Sequence, residues 1–93
     1  MRNGLIVDED GPKTWYQNNL LHREDGPAVE HPDGTKVWYQ NNQLHRTDGP
    51  AVEYADGVNL WFLKDVEHDF NEWLERVDTC TEVEKTMIRL QYT

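Results

Sequence analysis

Ninety-three residues suffice for one small domain with a thin core. Only 37% are hydrophobic, yet four Trp, four Tyr and two Phe each bury a large area, enough for one sheet face with a helix laid across it. Eighteen acids against nine Lys and Arg leave a net charge of −9, which repels DNA, RNA and anionic membrane surfaces and attracts a basic protein.

Cys80 is the single cysteine, so no internal disulfide can form. The opening Met1–Asp10 lacks the apolar run of a signal peptide, and no stretch reaches membrane-span length. A soluble cytoplasmic protein is expected, in the host cytoplasm if the chain is viral.

In chain order, the dominant feature is a repeat. Leu21–Glu30 reads L-H-R-E-D-G-P-A-V-E and Leu44–Glu53 reads L-H-R-T-D-G-P-A-V-E, 23 residues further on. Trp15, Trp38 and Trp61 keep the same spacing, as do Asp10-Gly11, Asp33-Gly34 and Asp56-Gly57 before them and Tyr16, Tyr39 and Phe62 after them. Leu5-Ile6-Val7 falls where Ala28-Val29-Glu30 and Ala51-Val52-Glu53 fall, so the first unit begins part-way through. His22, His45 and His68 align as well, although the third copy has Glu67 and Asp69 in place of Leu and Arg.

Each unit reads as β structure. Ala28–His31 and Thr35–Gln40 are β-prone runs joined by Pro32-Asp33-Gly34, where Gly supplies a positive φ. Val37–Gln40 and Gln43–Arg46 flank Asn41-Asn42, and Asn tolerates the left-handed region. Asp25-Gly26-Pro27 and Asp48-Gly49-Pro50 mark the next reversals, since Pro inside a strand removes a ladder donor. Turns are therefore predicted at 32–34, 41–42 and 55–57 of a continuous antiparallel meander. Period two places Tyr39 and Phe62 on one face and Trp15, Trp38 and Trp61 on the other. The Tyr/Phe face is the more apolar and is the expected core, with Tyr39, Phe62, Phe70, Trp73 and Leu74 buried together.

After His68 the period changes. Asp69 followed by Glu72 has the form of a capping box, and Phe70, Trp73, Leu74 and Val77 make one helical stripe. Asp78-Thr79-Cys80 breaks it, and Thr81–Glu84 opens a second helix carrying Val83, Met87 and Leu90, with Ile88 beside them. The fold class is thus α+β: an antiparallel β-hairpin repeat sheet of three 23-residue units over residues 1–67, capped by two C-terminal helices over 68–93, in a single domain.

Tyr39-Gln40-Asn41-Asn42-Gln43-Leu44-His45, followed by Gly49 and by Asp56-Gly57, resembles the MORN repeat. The form is closest to the L-H-R-x-D-G-P-A variant of uncharacterised bacterial and phage proteins. Asn42 and Arg46 stand where MORN repeats carry Gly. The resemblance implies a hairpin sheet used for protein binding, dimerisation or, in some members, lipid contact, the last opposed here by the acidic charge.

The candidate chemistry is sparse. Histidines one repeat apart lie about 10 Å from each other at two strands per repeat, too far to share a metal ion, so no metal and no cofactor are expected. Each His with its Arg is expected to bind the Asp or the backbone of the D-G-P turn, as in Arg23 with Asp25 and Arg46 with Asp48. No catalytic motif is present and Ser is absent, so no enzyme is expected. The Trp row, Trp15, Trp38 and Trp61, is the strongest binding signal, because exposed Trp anchors interfaces. Asp65–Glu84 adds eight acids against one Arg, with Glu72, Glu75 and Glu82 on the expected solvent face.

These features point to a non-catalytic acidic protein-binding module, such as a phage-type accessory inhibitor occupying a basic site on a host protein. Two alternatives stand beside it. One is a small-ligand-binding protein or sponge using His22, Arg23, His45, Arg46 and the Trp row in an oligomer cleft. The other is an architectural oligomerisation module. A homodimer through the N-terminal strand Leu5–Val7 is expected, because an open meander leaves unpaired edge groups.

Overall fold

The computed structural model describes residues 3–77 and 81–92. Short strands come first: β1 (Gly4–Val7), β2 (Lys13–Gln17), β3 (Leu20–Leu21), β4 (Val29–Glu30), β5 (Lys36–Val37), β6 (Tyr39–Gln40), β7 (Gln43–Leu44), β8 (Val52–Glu53), β9 (Asn59–Leu63) and β10 (Val66–His68). Two helices follow, α1 (Phe70–Arg76) and α2 (Glu82–Tyr92). The fold is α+β, with every strand pair antiparallel. The main sheet runs β1-β2-β4-β5-β8-β9-β10, with β3 paired to β2 off that path.

The meander is not continuous. The expected strand Thr35–Gln40 divides at Trp38, so β5 stays in the main sheet while β6 pairs only with β7. Trp38 is held between layers: its N–H donates to the Ala51 carbonyl at 2.7 Å, and its carbonyl accepts from His45 N–H at 3.2 Å. Backbone bonds then tie neighbouring hairpins together. Asn42 N–H donates to the Leu21 carbonyl at 2.9 Å while its Oδ1 accepts Leu21 N–H at 2.8 Å. One repeat later, Asp65 makes the same two bonds with Leu44 at 2.8 and 2.7 Å.

The predicted turns at 32–34, 41–42 and 55–57 are present. Three hairpins close on consecutive left-handed residues: Asn18-Asn19 (φ 52°, 68°), Asn41-Asn42 (50°, 68°) and Lys64-Asp65 (48°, 68°). Two positive φ values match the twist of two-residue hairpin loops. Asn tolerates this region, whereas Lys64 occupies it at a steric cost.

The helical core forms on the opposite sheet face from the one predicted. Trp61, Trp73, Leu74, Val77 and Ile88 make the buried cluster, with Leu63, Phe70 and Tyr92 against it. Tyr39 and Phe62 are only half-buried and lie outside it. The register supplies the reason: His68 pairs with Trp61, so the chain leaves β10 beside the indole. Asp69 then caps α1 by accepting Glu72 N–H at 2.8 Å, which sets Phe70 and Trp73 on the Trp61 ring at centroid distances of 4.7 and 4.6 Å. Trp73 is fully buried, and its Nε1–H donates to the Arg46 carbonyl at 3.0 Å. Trp73 and Leu74 are buried as predicted.

The second helix begins with a reciprocal capping box, Thr81 Oγ1 accepting Glu84 N–H and Glu84 Oε1 accepting Thr81 N–H, each at 3.2 Å. Its inward residues are Ile88 and Tyr92, the latter edge-on to Trp61 at 5.1 Å and 88°. The predicted stripe Val83, Met87 and Leu90 faces out instead, 73%, 65% and 77% exposed. An aromatic ring meeting Trp61 buries more area than that aliphatic stripe offers, so α2 is turned the other way. The expected break at Asp78-Thr79-Cys80 lies outside the described residues.

Candidate functional site

The L-H-R-x-D-G-P-A stretch is a self-contained piece of construction. Arg46 lies over the Trp38 ring with Cζ 3.8 Å from its centroid. Its Nε donates to Asp48 at 2.7 Å, and its Nη1 donates to the Pro50 carbonyl at 3.0 Å and to Glu53 at 3.3 Å. Arg23 repeats this over Trp15, at 3.8 Å from the ring, 2.9 Å to Asp25 and 3.2 Å to the Pro27 carbonyl. The pairing of Arg with the Asp of each D-G-P turn is as predicted. That guanidinium holds the Asp25 carboxyl below the ordinary carboxylate range, first through the hydrogen bond and then through its charge.

The Gly of the motif makes room for the guanidinium. A Cβ at Gly49 would lie 2.6 Å from Arg46 Cζ, and one at Gly26 would lie 2.9 Å from Arg23 Cζ. Ala28 and Ala51 follow at zero exposure, their carbonyls accepting the N–H of Trp15 and Trp38. The Arg, Asp, Gly, Pro and Ala of the motif therefore each have a place in or around the stack of indole, guanidinium and glycine.

The histidines differ from expectation. They serve the next hairpin rather than their own D-G-P turn: His22 Nδ1 accepts Asn41 N–H at 3.1 Å, and His45 Nδ1 accepts Lys64 N–H at 3.0 Å. Two-residue turns leave an N–H pointing back along the repeat axis, and a ring nitrogen fills that need. The Nδ1 acceptor fixes the proton on Nε2, which in His22 is buried and faces Glu24 at 3.5 Å. Burial first, and the Lys64 charge second, push the His45 pKa down.

The three tryptophans of the row are not equally exposed. Trp61 is 7% exposed and lies beneath α1 and α2. Trp15 and Trp38 are half-buried, each with one face under its guanidinium. Period-two counting treats polar neighbours as a sign of solvent, and it cannot register an arginine folded back over the ring. The groove between the two D-G-P turns, about 450 Å³, is lined by Arg23, Asp25, Trp38, His45, Arg46 and Asp48. The Nε and Nη1 of both arginines already donate within the fold.

The acids lie elsewhere, at the helical end. Every described acid between residues 65 and 84 is exposed. Glu75 and Glu82 line one groove of about 360 Å³ between α1 and α2, together with Lys85 and Arg89. Glu72 stands apart from them, 3.7 Å from both His68 Nδ1 and Arg76 Nε. The structure thus brings two of the three singled-out glutamates together, and sets none of them beside Trp15 or Trp38.

Sequence reasoning named Val83, Met87 and Leu90 as the apolar stripe of α2 but missed that they face outward. The signal was present in the helix, which carries a second apolar pair, Ile88 and Tyr92, at i and i+4 on its other side. Among the described residues, no group of three or more His, Cys, Asp or Glu is placed to hold a metal ion, and no helix is long and apolar enough to cross a membrane. Searches of protein families, curated proteins and solved structures returned no match to this chain.

Proposed function

We propose that this chain is a non-catalytic, MORN-like protein-binding module whose acidic helical end occupies a basic site on a partner protein. The observation that carries this reading is the exposure of every described acid between residues 65 and 84, in a segment with eight acids and one Arg. Such a concentration of charge steers a basic partner and speeds encounter, while short-range apolar contact sets the lifetime of the complex. The four tryptophans are engaged in the core and in the arginine stacks, so the repeats act as the rigid support rather than as the contact. The finer reading is an accessory inhibitor of phage type working in the cytoplasm, the host's if the chain is viral.

Affinity capture with the immobilised chain tests this. A specific partner is expected to bind wild type at physiological salt, and to be lost with Glu72→Lys plus Glu75→Lys and at roughly 0.5 M salt, where the Debye length falls to about 4 Å. Both glutamates are exposed on α1, so circular dichroism should show the fold unchanged. Equal capture by the variant at both salt concentrations would remove the electrostatic reading.

A further inference from the structure

We propose that the groove between the turns Asp25–Pro27 and Asp48–Pro50 is a binding site for one free aromatic heterocycle, a neutral or cationic ring of indole size that carries an N–H donor. The site lies on the repeats rather than on the acidic helical end, so it goes beyond the proposed function and needs no protein partner.

The structure shows once what fills such a place. Trp73 reaches from α1 to Trp61 and the second D-G-P motif, its ring 4.6 Å from Trp61 and its Nε1–H donating to the Arg46 carbonyl at 3.0 Å. Around this filled seat Gly49, Pro50 and Trp61 are buried. One 23-residue repeat earlier, the counterparts of Arg46, Gly49, Pro50 and Trp61 are Arg23, Gly26, Pro27 and Trp38. All four line the groove of about 450 Å³. Gly26, Pro27 and Trp38 are only half-buried. The groove is the same seat one repeat earlier, without its indole. Its volume falls in the ~300–1,000 Å³ range of small-molecule sites.

One residue separates the two seats and decides what the open one takes. The helix that carries Trp73 starts from its cap Asp69, directly after β10. The counterpart of Asp69 is Arg46, whose guanidinium lies 3.8 Å over the Trp38 ring. The open groove therefore keeps room for a ring and loses the place where a helix carrying it would begin. Phe70, Trp73 and Tyr92 all gather on Trp61; with the guanidinium over Trp38, a single ring takes their place.

The polar groups set the chemistry of that ring. The Arg23 carbonyl is the counterpart of the one that accepts from Trp73, and it calls for a ring N–H. Glu24, Asp25 and Asp48 line the groove against Arg23 and Arg46. Each arginine donates through Nε to the aspartate of its own turn, which leaves Glu24, 83% exposed, as the remaining charge at the rim. A negative rim favours a cationic or neutral ring over an anionic one.

Titration of the isotope-labelled full chain with indole, followed by two-dimensional NMR, tests the site. Shifts are expected at the amides of Arg23, Gly26, Trp38 and Asp48, with those of α1 and α2 unmoved. A ligand this small should bind with a dissociation constant of roughly 0.1–1 mM. Tryptamine, the same ring with an ammonium group, should bind about threefold tighter, and Glu24→Lys at the exposed rim should remove that gain. Groove amides that stay still with indole at about 5 mM would overturn the proposal. So would indole-3-acetate binding as tightly as tryptamine. A capped Gly-Gly-Trp-Gly-Gly peptide that shifts these amides where indole does not would also overturn it, and would assign the groove to a tryptophan of another protein. Partner capture with the Glu72/Glu75 variant fails or succeeds independently of this titration.

Discussion

Replacing Gly49 with Ala probes the stack of indole, guanidinium and glycine directly. The φ of Gly49 lies outside the left-handed region, so the backbone accepts Ala without strain. On its own, Gly→Ala at such a position stabilises by about 0.5–1 kcal/mol through the unfolded chain. Here the new Cβ would sit 2.6 Å from Arg46 Cζ and 2.9 Å from both terminal nitrogens, so the guanidinium must leave. Its departure forfeits the contact with the Trp38 ring, worth about 1 kcal/mol, and the half-buried bond to the Pro50 carbonyl, worth about 1–1.5 kcal/mol. The ion pair to Asp48 adds little, since that carboxylate is 79% exposed. Gly49→Ala should therefore destabilise by about 1–2 kcal/mol net, a fall in melting temperature of roughly 4–15 °C for a domain this size. In an Arg46→Ala background the obstruction is gone, and the same change should stabilise by about 0.5–1 kcal/mol. Urea denaturation of the four proteins closes the cycle, with an expected coupling of about 2–3 kcal/mol. Equal destabilisation in both backgrounds would refute the assignment of Gly49 as space for Arg46.

Three further outcomes are expected. Trp73→Ala should cost about 3–5 kcal/mol by denaturation, and Trp73→Phe, which keeps a ring but leaves the Arg46 carbonyl without its donor, about 1–3 kcal/mol. His45 has a folded pKa below its unfolded value, so its contribution is complete above about 6.5 and is lost as pH falls toward the folded value. Stability should accordingly drop between pH 7.5 and pH 5, and His45→Asn, which keeps an acceptor for the Lys64 N–H but does not titrate, should flatten that stretch of the profile. Lys64→Asn should raise stability by about 0.5–1 kcal/mol, because Asn tolerates the left-handed backbone that Lys64 occupies; an unchanged denaturation midpoint would show no strain at that turn.

Much of the β architecture is legible in the residues. Asn41-Asn42, Gly34 and Gly57 name their turns through φ, a local property that needs no partner. Asp69 and Thr81 name their helix starts in the same way. The Lys64-Asp65 turn carries no such local signal, and only its 23-residue offset from Asn41-Asn42 marks it. What could not be read was which surface covers which. The burial of Trp61 depends on the chain leaving β10 opposite that ring, and the masking of Trp15 and Trp38 depends on arginines folding back from a following turn. Similarly, α2 offers two apolar faces, and only the shape of the opening beside Trp61 selects Ile88 and Tyr92. The arginines and histidines looked like ligands because they recur, yet recurrence is also what a repeated hydrogen-bond need produces.

The most direct test of the account is hydrogen–deuterium exchange of the chain with and without its captured partner. Protection on binding is predicted to concentrate in residues 65–92, over β10, α1 and α2, and to be absent from the D-G-P turns at 25–27 and 48–50. Protection centred on those turns, with the helices exchanging as in the free chain, would contradict it and return the binding surface to the Trp and Arg rows.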